Sequence, residues 1–240
     1  MNIKRIIKEE INNYIKHNSR GYLPKVRKPG WTQNKILKIL KKYGSFSGME
    51  KAIEFISEFD NVQEFASHLF WHGSSNRQDS LKPSIALPSD YIEKYGGGGR
   101  AQQYWGISLT KDKYIATLFT TDYSVYIHPI VLAKDANIKE MPDFEDAYNA
   151  KDYIEQFWNE GIDGVWIGDK DDGEQELLIL NPQCICNISN MVKVFKKCGL
   201  KRENVPNPST DTLQMVLDAC KAYMNGNNEN SDIYGYFKKL

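Results

Sequence analysis

An α+β fold is predicted by three observations. Apolar residues recur at helical spacing over the first 66 residues, short apolar runs broken by glycine, proline and polar clusters follow from Leu69, and helical spacing returns near the C-terminus. The expected organisation is a helical N-terminal lobe over residues 1–66, a mixed core over 67–198 and a helical extension over 199–240.

In the lobe, Ile3, Ile6, Ile7, Ile11, Tyr14 and Ile15 share one helical face that stops near Gly21. A basic loop follows, with Pro24 and Pro29 among Lys25, Arg27 and Lys28. Thr32 is placed to cap a helix carrying Ile36, Leu37, Ile39 and Leu40, and Ser47 to cap one carrying Ile53, Phe55, Ile56 and Phe59.

The core opens with Leu69-Phe70-Trp71, expected as a short strand that breaks at His72-Gly73-Ser74-Ser75 into a loop ending at the glycine run before Arg100. Gly106–Thr110 reads as a second strand and Lys113–Thr120 as the helix after it. Ser124–Ala133 is a third β segment, and Pro129, which cannot donate to a ladder, predicts an edge strand or a bulge there. An amphipathic helix spans Asp143–Glu160 and stops at Gly161; Val165-Trp166-Ile167 is another strand. Beyond the carboxylate-led strand at 174–180 come an apolar segment at Val192–Phe195, a Pro206-Asn207-Pro208 linker, and a helix near Thr210–Met224. That helix is expected to bury Leu213, Val216, Leu217, Cys220 and Met224 as one stripe.

Composition bounds the function. The chain has 240 residues, 41% of them hydrophobic and 12% aromatic, enough for a sizeable core. Lys plus Arg and Asp plus Glu balance at 31 each, so no overall basic field recruits nucleic acid. Four unevenly spaced cysteines make no disulfide framework, and Cys184-Ile185-Cys186 lacks the spacing of a zinc knuckle. Reduced thiols, a cytoplasmic setting and no metal site are expected, with specialised export left open. No signal-peptide core opens the chain and no stretch approaches the roughly 20 apolar residues of a membrane span.

The most informative stretch is Gly173-Glu174-Gln175-Glu176 leading into Leu177-Leu178-Ile179-Leu180. Extended backbone sends alternate side chains to opposite faces, so Glu174 and Glu176 point the same way. Two readings stand: a solvated strand edge, or two acids sharing one reacting surface.

Three separated elements decide between them: His72-Gly73 closing a strand, Gly106-Ile107-Ser108-Leu109-Thr110 leading into a helix that reaches Phe119, and Glu174-x-Glu176 opening a strand. In that order they resemble the mono-ADP-ribosyltransferases of bacterial toxins and phages, over roughly residues 69–190. Trp71-His72-Gly73-Ser74 and Gly106–Phe119 look like the diphtheria-toxin-like branch, whereas the paired glutamates look like the Arg-Ser-Glu branch, which favours arginine as acceptor.

The resemblance implies a split β-sandwich core and an enzyme that uses NAD as its substrate. Glu176 would stabilise the positive charge that builds on the ribose as nicotinamide leaves, and Glu174 would face the acceptor. Gly73 would hold the nicotinamide carboxamide through its backbone, His72 the adenosine ribose, and Ser74 belongs to the same dinucleotide-binding set. Ser108 would orient Glu176, Thr110 would brace the strand, Phe119 would stack on nicotinamide, and Arg100 would reach the pyrophosphate. Each has a plainer reading: a satisfied polar residue for His72, ordinary strand hydroxyls for Ser108 and Thr110, core packing for Phe119, a surface loop for Arg100. Ser108 stands where the first aromatic of the nicotinamide sandwich would be, leaving that wall to Tyr104, Trp105 or Tyr114, and no arginine occupies position 72.

Transfer of ADP-ribose to a protein, possibly on arginine, is therefore expected. NAD glycohydrolysis, a nucleic-acid acceptor and a non-catalytic binding module remain alternatives. A cognate inhibitor or antitoxin fits such a protein, and a membrane partner does not.

Overall fold

The computed structural model describes residues 8–11, 49–74, 81, 106–118, 126–141, 154–167, 175–197 and 209–225. Within them the protein is mixed α and β, built on two sheets. The first contains β1 (Phe70–Ser74), β3 (Tyr126–Leu132) and β7 (Ile185–Asn187) in the order β1-β3-β7, antiparallel throughout. The second contains β2 (Ile107–Leu109), β4 (Ile138–Met141), β5 (Gly164–Ile167) and β6 (Glu176–Ile179) in the order β2-β6-β5-β4, with only β4 and β5 parallel. That parallel pair is joined through α4 (Ile154–Glu160), as a parallel connection requires. Gly161, at φ 75°, ends α4 in the left-handed conformation that glycine adopts without strain.

Strand alternation divides the core in two. Phe70 and Ile130 of the first sheet meet Ile107, Leu109, Leu177 and Ile179 of the second in one apolar layer, closed by Cys184 and Ile185. The opposite face of the first sheet, with Val131 and Cys186, lies under helices: α1 (Met49–Ser57), α2 (Val62–Ser67), α5 (Ile188–Lys197) and α6 (Thr210–Asn225). Ile11, Ile53, Phe65, Phe195 and Leu217 are sealed in this second cluster, so helical segments from both ends of the chain share one core. Two exposed ion pairs, Lys51 with Asp135 and Lys134 with Glu58 (2.6 Å), tie α1 and the turn that follows it to the turn after β3.

Asp163 locks the far end of the second sheet. Its carboxylate accepts from Asn137 N (3.0 Å) and Asn181 Nδ2 (2.7 Å), while its carbonyl accepts from Leu180 N and Asn181 N at 2.8 and 2.9 Å. Strands β4, β5 and β6 are thereby held in register at one residue.

Several expectations change. The first strand does not break at His72 but runs through Ser74. The strand carrying Pro129 is neither an edge nor bulged; β3 is the central strand of its sheet, each β1 residue facing one β3 residue. The proline is tolerated because its missing N–H faces the β7 side, where pairing begins only at Ile130–Asn187. Val192–Phe195 lies inside helix α5, whose start is capped by Asn187 Oδ1 accepting from Ser189 N at 2.9 Å. In α6 the buried stripe takes Tyr223, and Met224 is exposed. The proposed caps at Thr32 and Ser47 fall outside the described residues.

Among the described residues no helix is long and apolar enough to cross a membrane, and no group of His, Cys, Asp or Glu is placed to hold a metal ion. Cys184, Cys186 and Cys220 form no disulfide and are buried; burial raises the thiols of Cys186 and Cys220, which keeps them protonated and poor nucleophiles.

Candidate active site

Among the described residues the two sheets join at one bridge. Trp71 N donates to Thr110 O at 2.8 Å and Thr110 N donates to Trp71 O at 3.0 Å, linking β1 to the end of β2. A continuing antiparallel ladder would next pair Gly73 with Ser108, but β2 turns away to pair with β6, matching Ser108 to Leu178 and Leu109 to Leu177. The strands fork. By ladder alternation, the peptide groups of Gly73 and Ser108 face the fork as those of Trp71 and Thr110 face each other.

His72 fills the opening. Its Nδ1 lies 2.8 Å from the Ser108 carbonyl oxygen, supplying the donor that the lost ladder position would have given. A carbonyl can only accept, so Nδ1 carries the proton. The ring is half-buried, and burial lowers its affinity for a second proton, a trend the Ser108 bond partly offsets. The imidazole is therefore neutral at physiological pH, with Nδ1–H donating and Nε2 left as an acceptor.

Glu176 arrives from β6. Ser108 faces Leu178, and Glu176 precedes Leu178 by two residues, so Ser108 and Glu176 are diagonal neighbours on one face. Ser108 Oγ donates to Glu176 Oε1. Only 9% of Glu176 is exposed, and burial raises its carboxyl above the usual range while the Ser108 hydroxyl pulls it back. Ser108 thus grips two groups at once, the imidazole by its carbonyl and the carboxylate by its hydroxyl.

The supporting shell is built locally. Thr110 is buried and its Oγ1 accepts from Asp112 N at 3.1 Å, while Asp112 Oδ1 accepts from Tyr114 N at 2.7 Å at the start of α3 (Lys113–Leu118). Helix α3 then lies directly on β1. A Cβ built on Gly73 would come within 1.8 Å of the Ala116 carbonyl oxygen, so position 73 must be glycine for this packing alone. Lys111 Nζ stands 3.8 Å over the Phe70 ring and donates to Ser67 O, and Lys113 Nζ stands 5.1 Å over Trp71.

Of the nine residues singled out from the sequence, the structure draws His72, Ser108 and Glu176 into one hydrogen-bonded chain across three strands. Gly73 and Thr110 flank the fork. Ser74 lies on the His72 face of β1 and is buried opposite Tyr126. Glu174, Phe119 and Arg100 lie outside the described residues, as do Tyr104 and Trp105; Tyr114 is exposed on α3.

Sequence reasoning reads His128 as a satisfied polar residue and passes over Asn187, the partner that satisfies it. His128 faces His72 across β1 and β3, with ring centroids 6.0 Å apart, and Asn187 Nδ2 lies 3.2 Å from His128 Nδ1. The one local signal was Asn187-x-Ser189 ahead of an apolar run, a helix-start pattern.

Chemically, the site offers one buried carboxylate, one neutral imidazole acceptor and a backbone edge. A carboxylate held in low dielectric stabilises a positive charge developing beside it. A comparison of the chain with protein-family models, with curated proteins and with solved structures finds no match in any of the three.

Proposed function

We propose that the protein is an NAD-dependent mono-ADP-ribosyltransferase on an ADP-ribosyltransferase-like split β-sandwich, transferring ADP-ribose to a protein acceptor. The observation that supports this reading most is the His72–Ser108–Glu176 chain at the fork between two sheets. Its members come from the three separated sequence elements that carry the family resemblance.

In this reading Glu176 lies beside the ribose carbon that loses nicotinamide. Bond breaking turns a cationic pyridinium into a neutral leaving group and leaves an oxocarbenium-like sugar, so stabilisation by an anion is needed and a general acid is not. Glu176 also accepts from a ribose hydroxyl and fixes the sugar. Ser108 orients Glu176, the Gly73 peptide edge binds the carboxamide, and His72 Nε2 accepts from the adenosine ribose. Glu174, by the resemblance, orients the acceptor and takes its proton.

The test incubates the protein with NAD labelled in its adenylate part and a cell lysate, and follows the label. Label on protein is expected, and Glu176→Gln lowers the rate about 10²–10³-fold, the usual effect of removing one electrostatic stabiliser. Label found only as free ADP-ribose would redirect the reading to NAD hydrolysis, and label on nucleic acid to that acceptor. Unchanged turnover in Glu176→Gln would overturn the enzymatic reading.

A further inference from the structure

We propose that His128 and Asn187 form an acid-released latch on helix α5: in neutral solution the imidazole accepts from the amide that caps the helix, and uptake of one proton by His128 parts the central strand β3 from that helix start. The device lies outside the His72–Ser108–Glu176 chain and does not depend on what the fork binds.

Donors and acceptors make the lock. Asn187 Oδ1 accepts from Ser189 N at 2.9 Å, which fixes the amide so that Nδ2 faces His128 Nδ1 at 3.2 Å. A nitrogen facing an N–H donor holds a lone pair, so the proton of neutral His128 is on Nε2. An imidazolium carries N–H on both nitrogens and cannot sit against that donor. Seating one turns the ring, which breaks the pair, or turns the amide, which sets Nδ2 against Ser189 N and uncaps α5. His128 is 5% exposed and Asn187 1%, so neither exchanges its partner for water while the segment stays closed.

Position gives the latch its reach. Asn187 ends β7 where α5 begins, and it pairs across β3 with Ile130, two residues from His128. Val192 and Phe195 of α5 are sealed in the helical cluster with Ile53, Phe65 and Leu217, so releasing the start of α5 loosens the layer over the first sheet.

The charges around the ring bear on the same step. His72 faces His128 from β1 with ring centroids 6.0 Å apart, and a charge on one ring opposes a charge on the other. Glu176 reaches the fork through Ser108. The other titratable side chains described on the elements packed about β3 are Cys186 on β7, within the helical cluster, Lys193 on α5, Lys113 and Tyr114 on α3, and Tyr126 on β3 itself. The closed state excludes the second proton of His128, whereas the opened chain accepts it below about pH 6.5. Closure is therefore complete above that pH and weakens as the pH falls.

The test follows amide hydrogen exchange at Ser189 and Asn190 in the full chain from pH 7 to 5, beside nitrogen-15 NMR spectra of the histidine rings. The opening constant should rise toward 10-fold per pH unit below about pH 6, the limit for one proton, and His128 should be neutral with its proton on Nε2 at pH 7. His128→Asn, whose amide oxygen stands in for Nδ1, should leave that constant nearly flat. Asn187→Asp keeps the cap and gives an imidazolium its acceptor, so acid no longer opens the helix start. His72→Asn, which keeps a donor for the Ser108 carbonyl, should leave the rise in place. An equal rise in wild type and His128→Asn would overturn the proposal. So would an imidazolium at His128 in the wild type while Ser189 stays protected, a reading that needs no variant. No dinucleotide enters either measurement, so every outcome leaves the transferase reading as it stands.

Discussion

Two buried carboxylates stand at opposite ends of strand β6, and they are treated differently. Asp163, at the exit, receives a backbone donor on one oxygen and an amide donor on the other, and its own carbonyl caps two further N–H groups. Glu176, at the entrance, has one hydroxyl donor among the described residues, lies beside a forked ladder, and is pushed upward by burial. A carboxylate whose partners are complete closes a structure. One with a single described donor, next to a strand edge that has lost its partner, is the one the transferase reading puts beside its substrate.

Substitution at each end should separate the two roles. The largest effect is expected for Glu176→Gln, which removes most turnover and at the same time stabilises the fold. The folded state holds the Glu176 proton more tightly than the unfolded chain does. The linked stability is therefore complete below the ordinary glutamate range and lost as pH rises through the raised value. Glutamine keeps the Ser108 bond without a buried charge, so thermal melts at pH 8 should show Tm raised by roughly 2–4 °C, about 1 kcal/mol. A lower Tm would show that the carboxylate is structural.

Next is Asp163→Ala, expected to destabilise by roughly 1–3 kcal/mol in urea titration because it removes the acceptor of two part-buried bonds, from Asn137 N and Asn181 Nδ2. At temperatures where the variant stays folded, catalysis should be nearly unchanged. Gly73→Ala comes third. The new methyl must displace the Ala116 backbone, costing about 1–3 kcal/mol, and the shift of α3 should also weaken dinucleotide binding.

Smallest is Ser108→Ala, with an activity loss on the order of 10-fold. It also has a diagnostic pH signature. The hydroxyl lowers the Glu176 carboxyl against burial, so its removal raises that group further and moves the acid limb of the activity profile to higher pH. An acid limb that stays in place would mean that Ser108 does not govern the ionisation of Glu176.

How much of this was legible in the sequence follows from how local each signal is. The apolar runs at Phe70, Ile107, Val165 and Leu177, with the segment Ser124–Ala133, announced five strands, each with buried residues and bounded by turn residues. Strand β4 gave no such signal, since Lys139 and Glu140 on an outer strand face solvent, and β7 is three residues long without alternation. Pro129 misled because the rule excludes proline from a ladder position, not from a central strand whose neighbour has not yet begun.

The fork itself was not readable. The bond from Ser108 to Glu176 joins residues 68 apart, and the one from His72 to Ser108 joins residues 36 apart. Residue types and their order named the participants, but contact depends on a register that no short pattern specifies. Asn187 and its pairing with His128 were missed for the same reason. Each is ordinary in its own segment and meaningful only across the sheet.

One consequence follows from the double grip of Ser108. The carbonyl that seats the imidazole and the hydroxyl that seats the carboxylate belong to a single amino acid, so covalent bond lengths and one rotamer set the gauge between those groups. When the two sheets shift against each other, the fork widens or narrows around a spacer that does not stretch.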